Sequence, residues 1–285
     1  MKAKAPARPQ RQPLRTAAIA TAAVLLTAFF AYLRFPYDRL AESLSARIER
    51  DTGLRVEIGR LSASPQLAGP GIAAQDVRIT RADGSVLRVD RLRIRPAWSL
   101  TWLTARPAFH VDAEAPLGGI DGVAVLWGPP RFTGTLRDID LAELSDAVEL
   151  PGTRIEGHAT LDLDLARTEE GPAGPVQIAA KDGVLSHPRL PMAVPYEELH
   201  GSLQLGGDTW VQIGGIDVRS PLGTGTLKGT IGRAADATQA PLALEVAIQV
   251  SDTIRSSLTS QGVRVGRDGE LHFQVTGTAG APIVQ

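Results

Sequence analysis

The sequence predicts a mainly β protein, with an N-terminal transmembrane helix and a short amphipathic helix followed by a long antiparallel sheet. Three observations predict it: an uncharged apolar run near the N-terminus, one stretch of four-residue periodicity after it, and a period of two over nearly everything else. The chain has 285 residues, 30 Lys plus Arg against 31 Asp plus Glu, and no cysteine. A net charge of -1 with 21% charged residues excludes a nucleic-acid-coating protein, an acidic disordered tail and a long coiled coil. The lack of cysteine excludes disulfide frameworks, thiolate nucleophiles and iron–sulfur clusters. With 29 Gly and 20 Pro, the chain is rich in turns.

The balanced total hides an asymmetry. Lys2, Lys4, Arg8, Arg11 and Arg15 are basic, and nothing acidic precedes Asp38. Residues 1–15 are therefore expected as a basic cytoplasmic tail. Thr16 to Leu33, TAAIATAAVLLTAFFAYL, has no charge, no Pro and no Gly. Its 18 residues reach roughly 27 Å as a helix, close to a hydrocarbon thickness of about 30 Å. Residues 16–33 read as the span, with Leu25, Leu26, Phe29 and Phe30 as the membrane anchor and Phe29, Phe30 and Tyr32 as an interfacial aromatic belt. A cleavable signal peptide shares the basic start and apolar centre. It needs a small-x-small site after that centre, where Phe29, Phe30, Tyr32 and Leu33 stand instead. A retained anchor is the preferred reading. The positive-inside rule then puts the N-terminus in the cytoplasm and exports everything from about residue 34, into the periplasm of a Gram-negative cell.

Residues 34–53 come next. Leu40, Leu44 and Ile48 recur every four residues beside Ala41, while Asp38, Glu42 and Glu49 fall elsewhere, the pattern of a juxtamembrane amphipathic helix. Pro36 suits its start and Gly53 its end. A helix docked on the exported domain is favoured over one that binds a partner.

From Leu54 to Gln285 the period is two. Val56 and Ile58 alternate with charged neighbours. Leu161, Leu163 and Leu165 alternate with Asp162 and Asp164, and Leu242, Leu244, Val246, Ile248 and Val250 hold the alternation for nine residues. Shorter runs sit at Val77 and Ile79, Leu92 and Ile94, Leu203 and Leu205, Val211 and Ile213, and Phe273 and Val275. Ala82-Asp83-Gly84, Lys181-Asp182-Gly183 and Arg267-Asp268-Gly269 read as separating turns, and Glu170 to Pro175 as a long hairpin tip. The product is a meander with one apolar and one polar face. Besides residues 37–52, only Leu141 to Val148 has helical potential, too little to cover about a dozen strands. The sheet must fold on itself, either closing around packed side chains or leaving a half-open trough. The face is expected to carry Leu161, Leu163, Leu165, Leu203, Leu205, Leu244, Val246 and Ile248, because side chains two apart on a strand point the same way.

Motifs of catalysis are missing from the sequence. His110, His158, His187, His200 and His272 are never three to five apart, and neither H-E-x-x-H, G-x-S-x-G nor a P-loop occurs. Gly223 to Gly229, GTGTLKG, has one residue too many for a dinucleotide fingerprint and opens into further alternation, so strand glycines are preferred over a phosphate cradle. Asp162 and Asp164 read as a solvated face, His158 and Asp162 as the best of poor enzymatic candidates, and Arg88, Arg91, Arg93 and Arg95 as a solvated edge rather than a headgroup contact. Catalytic residues, metal ligands and cofactors are not expected.

The order of these features resembles a known family. A basic tail, one span, the string FPYDRL, an amphipathic helix ending in TGLRVEIGRL, then PGIAAQDVRIT and a wholly β remainder resemble the type II secretion system protein N family, related to AsmA-like periplasmic proteins. Residues 51–59, DTGLRVEIG, are similar to the opening of AsmA-like domains; Gly134-Thr135-Leu136 with Ile139-Asp140-Leu141, and Gly277-Thr278 before Pro282, match in style. The resemblance implies a curled AsmA-like sheet over residues 54–285 with a half-open apolar groove. It implies a non-enzymatic inner-membrane subunit of a type II secretion system, whose partners are the inner membrane and other secretion subunits. As the alternative, it implies a protein that binds phospholipid or passes it between membranes.

Overall fold

The computed structural model describes residues 12–66, 69–80, 84–98, 106–126, 128–147, 154–186, 193–251 and 269–285. The chain divides into two compact units, residues 1–87 and 88–285. The expected turns at residues 82–84 and 267–269 and most of the basic tail lie largely or wholly outside the described residues.

In the first unit, helix α1 (Gln12–Leu33) is followed by α2 (Tyr37–Thr52). All the residues of α1 from Ile19 to Ala31 are exposed. Among the described residues no single helix is long and apolar enough to cross a membrane; Ile19–Leu33 passes only together with Tyr37–Arg50, across a 62° bend. Gly53 ends α2 in the left-handed conformation, with its N–H on the Glu49 carbonyl at 2.9 Å. The hairpin β1 (Arg55–Ala63) and β2 (Ile72–Thr80) follows. Val56, Leu61, Ala74 and Val77 are buried, and α2 packs on β1.

The second unit contains β3 (Val86–Pro96), which begins at the boundary, β4 (Ala108–Ala115), β5 (Gly118–Val125) and β6 (Arg131–Asp140). A short helix α3 (Leu141–Ala147) precedes β7 (Arg154–Thr168), β8 (Gly171–Ser186), β9 (Val194–Leu205), β10 (Val211–Ser220) and β11 (Gly223–Ile231). A 3-10 turn, Ala237–Gln239, leads to β12 (Leu242–Val250), β13 (Glu270–Thr278) and β14 (Ala281–Val284). The fourteen strands form an antiparallel sheet in chain order that does not close.

Two turn expectations need correction. Lys181-Asp182-Gly183 lies inside β8, where Asp182 (φ 51°) makes a bulge opposite the Glu156/His158 register shift. Asp138 (φ 57°) does the same between Leu136 and Ile139 in β6. Asp reaches positive φ more readily than most residues, so it can carry the extra residue of a bulge without breaking the strand. The hairpin tip is Glu169–Glu170 alone; Gly171 to Pro175 already belong to β8.

Candidate functional site

Register decides which side chains share a face. Directly paired residues of an antiparallel ladder point to the same side. Leu163, Val176, Leu203, Ile213, Gly229, Leu244, Val275 and Val284 are successive partners from β7 to β14. A parallel row runs Leu161, Ile178, Gly201, Ile216, Leu227, Val246, Phe273 across β7 to β13. Leu165 continues the other way through Phe132, Ala124 and Phe109 to Pro96. Leu205 joins Val211, Ile231 and Leu242, and Ile248 pairs with Gly225 and Leu271. These rows are almost wholly apolar.

Val176 and Ile213 are buried within the first row, and α3 covers a further buried group. Under α3 a cluster of Ile139, Leu141, Ala159, Ala180 and Tyr196 is buried, Ala159 at 2% and Ala180 at 1% exposure. The buried Tyr196 hydroxyl donates to the Glu156 carbonyl at 2.8 Å, and burial raises its pKa above the ordinary phenol value. All eight expected face residues, Leu161, Leu163, Leu165, Leu203, Leu205, Leu244, Val246 and Ile248, are half-buried, and Leu161 packs against that cluster. Four anchor positions are more open still: Leu25, Leu26, Phe29 and Phe30 are exposed on α1.

A pocket of about 570 Å³ opens where β5 to β8 end. Ala124, Val125, Leu126, Pro130, Phe132, Leu165, Ala166 and Pro172 line it, with the exposed Arg131 and Arg167. Phe132 also lies over two facing glycines: a Cβ at Gly122 would stand 2.7 Å from its ring, and one at Gly134 would stand 3.0 Å from it. The aromatic thus fills space left by paired residues without side chains.

The other face is polar and internally paired. Arg131 donates to both Asp164 oxygens (Nε to Oδ1 2.7 Å, Nη2 to Oδ2 2.5 Å), Thr133 adds a bond to Asp164 Oδ1 at 3.1 Å, and Thr135 donates to Asp162 at 2.6 Å. The Arg131 bonds hold the Asp164 carboxyl below its ordinary pKa. Arg91 and Arg93 face their register partners Glu114 (3.5 Å) and Asp112 (3.9 Å), so half of the basic strand is neutralised across the ladder. Arg88 is exposed and Arg95 sits opposite His110. His158 is exposed between Asp140 and Lys181 of the neighbouring strands. Gly223 to Gly229 is strand β11; a Cβ at Gly229 (φ 137°) would stand 2.1 Å from the Ala243 carbonyl. Among the described residues no group of three or more His, Cys, Asp or Glu could hold a metal ion.

Two structural roles escaped the sequence reading. Tyr196 gave no periodic signal of its own. Tyr32, expected in an aromatic belt, also has its hydroxyl bonded into the tip of the first hairpin. Comparison of the chain with protein-family models, with curated proteins and with solved structures finds no match.

Proposed function

We propose that this protein is a non-enzymatic, membrane-anchored subunit of a type II protein secretion system, with residues 54–285 exported and N-terminal residues cytoplasmic. One observation carries the reading. A helix exposed on every side from Ile19 to Ala31, continuous with a charge-free run from Thr16, is joined in one chain to an unclosed sheet on which all eight expected face residues are only half-buried. A bare apolar helix calls for lipid around it, and a half-covered apolar face calls for a partner. The polar face offers cross-strand ion pairs and hydrogen bonds, the normal furniture of a solvated ladder. The resemblance around FPYDRL supplies the machine in which such a subunit works.

The test is a deletion strain of a secreting host. Release of secreted enzymes should fall and return on complementation, while the lipid composition of the outer membrane stays unchanged. Normal release would refute the proposal.

The pocket at the ends of β5 to β8 favours a second reading, in which the apolar face holds acyl chains. Its lining is almost entirely apolar, apart from Arg131, which is paired with Asp164, and the exposed Arg167, whose charge suits an anionic headgroup. Full-length protein purified in a mild detergent should then release phospholipid in native mass spectrometry. A lipid-free spectrum would dispose of this reading and leave the first untouched.

A further inference from the structure

Between Arg60 and Asp76 the chain runs fifteen residues without a charged side chain, LSASPQLAGPGIAAQ, in a protein that is 21% charged. That run holds the tip joining β1 to β2, and the tip is fastened to the end of α1. The Tyr32 hydroxyl donates to the Gly71 carbonyl and accepts from the Ser64 N–H at 3.0 Å and the Gly71 N–H at 3.1 Å. Ser64 and Gly71 close the hairpin on each other at 2.9 Å, and Gln66 and Gly69 bond reciprocally beyond them. A second tyrosine braces the first: the Tyr37 hydroxyl donates to the Tyr32 carbonyl at 2.8 Å, and the two rings meet edge to face. The hairpin tip is therefore held beside the last turns of the apolar helix by a fully satisfied phenol. Between them lies a crevice of about 370 Å³, lined by Ala28, Phe29 and Tyr32 of α1 and by Pro65, Gln66 and Pro70 of the tip.

We propose that this crevice takes the glycerol and upper acyl-chain region of a bilayer lipid, so that the first hairpin sits in the membrane interface. The inference rests on reading α1 as a membrane anchor. Its walls then share the depth of the outer turns of the span, where the occupant at hand is lipid. A tip without charges enters that layer without the cost of desolvating an ion. Phe29, 46% exposed beside the crevice, offers an aromatic face of the kind that settles at the headgroup level. Tyr32 is the positioning residue: its hydroxyl hydrogen-bonds inside the protein and so holds the tip at that depth.

The chain has no cysteine, so single-cysteine probes need no background removal. Full-length Gln66→Cys and Leu25→Cys, each carrying an environment-sensitive fluorophore, are reconstituted in phosphatidylcholine and phosphatidylglycerol vesicles. A fraction of the lipids bears a nitroxide near the glycerol end of the acyl chain. Both probes should shift to the blue and lose intensity to the nitroxide. Adding Tyr32→Phe should restore intensity at position 66 and leave position 25 quenched. Quenching at 25 with none at 66 overturns the inference while the anchor stands. Quenching at neither overturns both. A blue shift at 66 that grows with protein-to-lipid ratio and ignores the nitroxide assigns the crevice to a second copy of the chain and also overturns it.

Discussion

A methyl group at Gly134 has nowhere to go. Its Cβ would stand 2.5 Å from the Asp121 carbonyl and 2.6 Å from the Gly122 Cα, both backbone atoms, with the Phe132 ring at 3.0 Å closing the remaining side. Gly134→Ala must push β5 from β6 or turn Phe132 out, and overpacking of this kind costs about 1–3 kcal/mol. Denaturant titration of the variant should show that loss with an unchanged slope. Asp164 sets a pH dependence instead. Its carboxyl is held below the ordinary value by Arg131, chiefly through the side-chain hydrogen bonds. A depressed carboxylate contributes stability that is present above its unfolded pKa of about 3.9 and lost as pH falls through the lower folded value. Asp164→Asn should remove that part of the acid dependence: the gap between wild type and variant narrows as acid is added. A gap that stays constant to low pH would show that the carboxylate's charge contributes nothing.

At the scale of elements, α3 separates two environments on one sheet face. Ala159 lies under it at 2% exposure, whereas Val246, five strands on from β7 at β12, is half-buried. An aspartate at Ala159 would be an uncompensated buried charge, worth about 3–5 kcal/mol of lost stability. At Val246 the carboxylate can reach water, so the loss should be roughly 1–2 kcal/mol. Thermal melts of Ala159→Asp and Val246→Asp read the difference directly, and equal losses would mean that Val246 is packed as tightly as Ala159. Much of this was legible in the sequence. Strict alternation at Leu161 to Leu165 and Leu242 to Val250 places those residues in β7 and β12, and Leu141 to Val148 anticipates α3 within a residue. What misled was local chemistry that serves two purposes. Asp-Gly marks hairpin turns, yet at Asp182-Gly183 it carries a bulge inside a sixteen-residue strand. A bulge also breaks the period, so Leu136 and Ile139, three apart, hold neighbouring rows through pairing with Leu161 and Ala159. No period-two reading could join them. Tyr32 was hidden for another reason: its partners at Ser64 and Gly71 are 32 and 39 residues away, and nothing local announces a hydroxyl's long-range bond.

For the whole molecule, the decisive quantity is the state of the N-terminus. A retained anchor and a cleaved signal peptide share basic residues and an apolar run, and they differ in what the mature chain weighs. The aromatic residues Phe29, Phe30 and Tyr32 occupy the region where a peptidase needs small side chains. Tyr32 is moreover bonded into the hairpin at Ser64 and Gly71, so cutting the chain after it would remove a residue that the folded hairpin holds. The chain isolated from a Gram-negative host should therefore keep its full mass of 30.2 kDa, sediment with membranes and resist alkaline extraction. Under the proposed topology, in which the five positive charges before Thr16 keep that end cytoplasmic, protease added after permeabilising the outer membrane should digest the strands and leave a small fragment containing the basic tail. A soluble product shortened at its N-terminus would replace the anchor with a leader. The sheet would then work free of the inner membrane, and the secretion-subunit proposal would lose its attachment while the apolar face kept its need for an occupant.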